Sequence, residues 1–116
     1  MADTEAEGVW QALGIEVRRM GRDDNFWGPT GEAGPCGPTS EIYVDGIEVW
    51  NLVFNEYYRN RDGKFEKLSP VGLDTGSGLE RLAAALQSRR SIWAIEPFAS
   101  WVELIDPTRE YESKII

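Results

Sequence analysis

The chain has no histidine and a single cysteine, Cys36. One thiol cannot form an internal disulfide, and without imidazole beside it no zinc cluster can be built. Cys36 also lacks a base that would activate it as a nucleophile. No apolar run approaches the ~20 residues that a membrane-spanning helix needs. The acidic start, from Ala2 to Glu7, lacks the basic and apolar order of a signal peptide. The expected location is therefore the cytoplasm, with no membrane partner. Positive charge is thin as well: 12 Lys and Arg against 20 Asp and Glu give a formal net charge of -8, and no cluster of basic residues stands out. The electrostatic footprint of an autonomous nucleic-acid binder is missing, so the main grip on any such partner is expected to lie elsewhere.

What is present suits a packed fold. The 116 residues fit one small domain or part of a larger one, since compact domains usually hold roughly 100 to 150 residues. Hydrophobic residues make up 41%, including 5 Trp, 4 Tyr and 4 Phe, which argues against disorder.

Residues 3 to 13 read as a helix, with Asp3 or Thr4 as N-cap, Val9, Trp10 and Leu13 as apolar stripe and Gly14 as stop. Ile15, Val17 and Met20 suggest a strand. Gly28, Pro29, Gly31, Gly34, Pro35, Gly37 and Pro38 crowd the stretch from 25 to 38, which predicts a loop. Residues 41 to 45 alternate like a short strand, and Gly46 allows a turn. The run from 47 to 58, dense in β-branched and aromatic residues, predicts a long central strand. A helix is its rival, because Ile47, Trp50 and Phe54 also fit helical spacing. The following Asn60-Arg61-Asp62-Gly63 favours a hairpin, with a return strand over 65 to 68.

The clearest helix covers 78 to 90, where Leu79, Leu82, Ala83 and Leu86 make one face and Thr75 or Asp74 can cap the start. A last helix begins near Pro97, carries Phe98, Trp101, Val102 and Ile105 at helical spacing, and ends at Asp106-Pro107. Strands followed by helices predict an α+β fold, an antiparallel β-sheet with flanking helices, in a single domain over residues 1 to 116.

The residues with most chemical content are Asp74-Thr75-Gly76-Ser77-Gly78-Leu79-Glu80-Arg81, read as a glycine-bearing turn that feeds into the clearest helix. Glycines such as Gly76 and Gly78 let a ligand approach the backbone closely. Arg81 falls in the first turns of that helix, where the macrodipole disfavours a cation by roughly 0.3 to 1 kcal/mol. A charge placed against that preference is a candidate anion binder. The plainer alternative is an ordinary capped helix with Arg81 paired to a nearby acid.

Gly76 to Arg81 resembles motif 3 of class II aminoacyl-tRNA synthetases, and the whole run from Val71 to Ala84 is similar to the alanyl-tRNA synthetase version. Two further blocks agree in order and rough spacing. One is Asn25-Phe26-Trp27-Gly28 continued by Gly34-Pro35-Cys36-Gly37-Pro38-Thr39-Ser40-Glu41-Ile42, and the other is Glu48-Val49-Trp50-Asn51-Leu52-Val53-Phe54. The similar region runs from about residue 14 to about residue 105. The Trp27-Gly28-Pro29 form looks more like the archaeal branch.

The resemblance implies a partial class II catalytic fold that binds alanine and ATP for alanyl-adenylate formation. Trp27, Asn51, Asp74 and Gly76 would form the alanine pocket, with Arg81 and Gly78 at the ATP phosphates. Mg2+ would sit on Glu48, with Glu41 a comparable acid. An acceptor such as Asp74 suits the ammonium of a zwitterion, while Trp27 and Asn51 can donate N–H groups to its carboxylate. Each has a plain alternative: Trp27 as core aromatic, Asn51 as strand-end hydrogen bonder, Asp74 as helix cap, Glu48 as solvated strand carboxylate. Strict alternation puts Glu48 and Asn51 on opposite strand faces unless a bulge intervenes. Cys36 reads as a small loop residue near the pocket.

The resemblance implies no catalytic side chain beyond positioning and positive charge. Residues 1 to 24 show neither motif 1 nor motif 2, and no histidine is available for an editing site. The expectation is a fragment or truncated relative, incomplete on its own, that meets tRNA only through regions outside the match. A second copy or a complementary synthetase fragment would then be its partner. The competing expectation is an inactive interaction module or small-molecule sensor.

Overall fold

Two tight turns set the course of the sheet. Asp45 (φ 50°) and Gly46 (φ 83°) both occupy the left-handed region, as in a two-residue type I′ turn whose twist matches that of the strands it joins. This turn links β2, Gly34–Val44, to β3, Ile47–Arg59. The next turn leads from β3 into β4, Phe65–Ser77, with Gly63 at φ 83° donating its N–H to the Asn60 carbonyl at 2.9 Å. There the Lys64 ammonium, 3.0 Å from the Asp62 carboxylate, holds that group below the usual carboxylate range. The short β1, Phe26–Trp27, runs antiparallel to β2 with Phe26 opposite Pro38 and Trp27 opposite Gly37, and the sheet order is β1-β2-β3-β4.

The computed structural model describes residues 4 to 108. Among them are three helices, α1 (Thr4–Ala12), α2 (Leu79–Leu86) and α3 (Phe98–Ile105), and a 3-10 turn at Ile92–Ala94. The antiparallel sheet with flanking helices matches the predicted α+β class.

The chain divides into two compact units, Met1–Ser40 with Asn51–Thr75 and Glu41–Trp50 with Gly76–Ile116. In the first, Cys36, Val53 and Thr39 are buried. Asn25 ties β1 to β2 by donating its side-chain N–H to the Thr39 carbonyl at 3.1 Å while its own carbonyl accepts from the Thr39 amide at 3.1 Å. Gly37 is fixed by contact, because a Cβ there would collide with the carbonyl of Phe54. In the second unit Val49, Ala84 and Ile95 are buried. The Ser77 hydroxyl and the Gly78 amide both donate to the Val49 carbonyl, at 2.9 and 3.3 Å. Trp93, Phe98 and Trp101 pack edge to face with centroids 5.8 and 5.6 Å apart.

Several local expectations need correction. The strand expected around Ile15 to Met20 does not form: a strand needs a hydrogen-bonding partner, and this exposed stretch is held instead by Arg19, whose Nε donates to Glu7 at 3.0 Å. The loop expected over 25 to 38 contains β1 and the first residues of β2, so Cys36 is a buried strand residue rather than a loop residue. The return strand does not stop at 68 but continues to Ser77, which moves Asp74 and Gly76 from a turn onto β4. Neither Asp74 nor Thr75 caps α2, since its N-cap is Gly78. The helix also ends at Leu86 instead of 90. Ser88 at φ 54° turns the chain, and Ser88 and Arg89 donate to Ala85 and Ala84 carbonyls in a Schellman-like stop. Thr4 lies inside α1, and Asp3 falls outside the described residues.

Candidate functional site

β3 and β4 bring the first pair of predicted site residues onto neighbouring strands. Thr75 Oγ1 donates to the Asn51 carbonyl at 3.1 Å, which fixes the two strands against each other at this point. Further along, a Cβ built on Gly72 would stand 3.6 Å from the Asn55 Cβ, so those positions share one face of the sheet. Both strands are unbroken, and the two-residue period carries Asp74 with Gly72 and carries Asn51 and Val53 with Asn55 onto that face. Asp74 is exposed, and the Asn51 amide oxygen is shielded from solvent. Gly76 lies two residues beyond Asp74, where a Cβ would meet nothing within 4 Å.

Asn55 was not among the predicted site residues. Its Oδ1 is buried and has no hydrogen-bond donor among the described residues, an acceptor on the same face as Asp74. The sequence carried no local signal for it beyond the strand period. Trp27 stands apart from this pair in strand order: β1 is two strands from β3, or about 9 to 10 Å at the usual strand spacing. Its side chain is 40% exposed.

The second pair is Glu48 and Arg81. Arg81 Nη1 donates to the Glu48 carboxylate and to the Glu48 carbonyl, each at 3.2 Å. Arg81 lies in the first turn of α2, and Gly78 at the N-cap is overlaid by the Arg81 stem, whose Cδ would be 3.2 Å from a Cβ there. The guanidinium placed against the helix dipole is thus neutralised by a strand carboxylate, the plainer of the two sequence readings, and the same geometry presents it beside an exposed helix start. An exposed pair of this kind is worth at most about 1 kcal/mol.

Cys36 is fully buried, and desolvation pushes its thiol up, with the Arg59 backbone hydrogen bond and the positive charges of Arg22 and Arg59 acting in the opposite direction. It is an inert packing group. Among the described residues no three His, Cys, Asp or Glu side chains gather into a metal site. Mg2+ does not require such a cage, because it is commonly held by one or two carboxylates together with substrate phosphates. Glu48 fits that more modest role.

A family model described as tRNA synthetases class II (A) matches residues 1–114. The chain belongs to this family. Similar curated proteins include the alanine-tRNA ligase of Rubrobacter xylanophilus, 38% identical over 94% of this chain and 15% of that protein. The alanine-tRNA ligase of Treponema denticola is 36% identical over 90% of this chain and 21% of its own length. That of Treponema pallidum is 38% identical over 89% and 20%. This class II synthetase chain therefore spans about a fifth or less of the length of the relatives it matches, within their alanine-tRNA ligase sequences. No helix among its described residues is long and apolar enough to cross a membrane.

Proposed function

We propose that this chain carries the alanine-binding strands and the motif 3 arginine of an alanine-tRNA ligase active site. Asp74 accepts from the alanine ammonium, Asn51 and Trp27 donate to its carboxylate, and the bare backbone at Gly76 lets the ligand lie close to β4. Arg81 leaves Glu48 and takes the ATP phosphate tail, with Gly78 beneath its stem. Glu48, relieved of Arg81, becomes the ligand for Mg2+, an ion that neutralises phosphate charge when bound. The chemistry is attack of the alanine carboxylate on the α-phosphorus of ATP, forming the alanyl adenylate and releasing pyrophosphate. The protein's part is orientation and charge rather than proton transfer.

The observation that supports this reading is the juxtaposition of Asn51 and Asp74 on one face of paired strands, tied by the 3.1 Å bond from Thr75. A carboxylate and an amide on a rigid sheet match the two ends of a small zwitterion. The relatives' identity supports alanine as the amino acid. This stretch is therefore expected to bind alanine together with ATP. Calorimetric titration of the full chain with L-alanine, glycine and L-serine tests it. Binding selective for alanine is expected, and a folded chain that binds none of the three overturns the proposal.

A second reading, an interaction module, is favoured by the apolar side chains Leu86, Leu104 and Ile105, which are 80%, 83% and 84% exposed. Its partner would be a second copy or a complementary synthetase fragment. Light scattering separates the readings: a strict monomer at high concentration counts against self-association.

A further inference from the structure

None of the residues assigned to alanine or ATP lines the cavity of about 470 Å³ in the first unit. Its walls are Arg22 and Arg59, Phe26 and Phe65, and the bare backbone of Gly28 and Gly63, with Asp23 the single acid among its lining residues. The Arg22 guanidinium carbon lies 4.1 Å from the centroid of Phe26 and 5.3 Å from that of Phe65. The two rings stand edge to face, 6.2 Å apart. A guanidinium resting on aromatic rings still has N–H donors to offer, which suit contact with a phosphate.

Charge strengthens the case. Among the described residues neither Arg22 nor Arg59 has a carboxylate within 4.0 Å. Arg22 and Arg59 line one hollow without a close acid, so their charge favours an anion there. The hollow is open to solvent, and its volume exceeds what an inorganic anion fills. Phe65 is 44% exposed and carries Arg22 over its ring, and unpaired bases stack on aromatic rings and guanidinium planes alike. Substitution at Gly28 is barred, since a Cβ would lie 2.8 Å from the Pro35 carbonyl at a φ of 85°.

The geometry points to a nucleotide site: a phosphate between Arg22 and Arg59, and a base against Phe65. A free nucleoside monophosphate and an unpaired nucleotide of an RNA strand present this same chemistry.

The test is an NMR titration of the 15N-labelled full chain with AMP, a short oligoadenylate, inorganic phosphate and adenosine. AMP is expected to shift the amides of Gly28 and Gly63 and the side-chain Nε signals of Arg22 and Arg59, whereas adenosine is not. Arg22→Gln and Arg59→Gln should each weaken AMP about tenfold. Arg59→Lys, which keeps the charge and loses the fork, should weaken it severalfold with the amide spectrum otherwise preserved. Tighter binding of oligoadenylate identifies an RNA strand as the source, and tighter binding of AMP identifies the free nucleotide. Equal affinity for inorganic phosphate and AMP overturns the base contact. Absence of shifts at these residues overturns the site, as do shifts confined to residues 76 to 81, which would leave the ATP reading standing. Shifts at the cavity stand whatever the alanine titration shows.

Discussion

In the first unit the assigned residues sit on strands that admit little adjustment: Gly37 is pressed against the Phe54 carbonyl, Asn25 clamps Thr39, and the Thr75 hydroxyl binds the Asn51 carbonyl. In the second unit Arg81 rides on a helix whose Leu79 is 75% exposed, and among the described residues its guanidinium pairs with one acid, Glu48. The contrast separates two kinds of recognition. A small zwitterion needs a preformed pocket, because it has few atoms with which to reorganise the protein. A polyanionic phosphate tail brings enough charge to pull an arginine from an exposed ion pair.

The sharpest way to break this comparison is at the glycines. Gly37→Ala should cost about 3 kcal/mol or abolish cooperative unfolding in urea, because the new Cβ meets rigid backbone. Gly76→Ala, where nothing lies within 4 Å, should leave stability within about 0.5 kcal/mol while weakening alanine. Equal costs at the two sites would remove the distinction between a tight strand pair and an open pocket edge.

Next in size is Arg81→Ala, which should lower ATP affinity about tenfold or more in calorimetry and leave alanine affinity within about twofold. A parallel loss of both ligands would show that the arginine supports the alanine site as well. Glu48→Gln should have a smaller and more telling effect. It should change stability by less than about 1 kcal/mol, raise ATP affinity a few-fold without magnesium, and blunt the gain that magnesium gives. ATP binding indifferent to Glu48 would remove it as both latch and ion ligand.

The smallest effect concerns pH. Burial raises the Cys36 thiol above its ordinary value of 9.0, so the folded chain holds that proton more tightly than the unfolded chain. Its contribution to stability is complete below the unfolded value and is lost as pH rises through the folded one. The urea midpoint should fall above about pH 9, and Cys36 should resist alkylation at neutral pH unless urea is present. Rapid labelling of the folded chain would show a looser first unit than the contacts imply.

The sequence made the hairpins legible because their turns carry chemical signatures, Asp45-Gly46 and Asn60 through Gly63. The stripe of α2 was equally plain. What escaped was strand structure made by pairing rather than by propensity. β4 passes through Ser69-Pro70, Gly72, Asp74 and Gly76, poor strand formers that β3 keeps extended through bonds such as Thr75 to Asn51. β2 begins in a glycine-proline stretch because only glycine allows the approach of Phe54 at position 37. Ile15 to Met20 had strand-like residues and found no partner. The site residues themselves came from resemblance, and the shared face of Asn51 and Asp74 became visible only with the full length of β4. Arg22 and Arg59, distant in sequence, gave no sign that they would line one cavity.

One titration bears most directly on the proposed function: L-alanine into the unmodified chain and into Asp74→Asn, with circular dichroism to establish that both are folded. The account predicts alanine binding that weakens about tenfold or more when the carboxylate is lost. Equal affinity in the two proteins would contradict it.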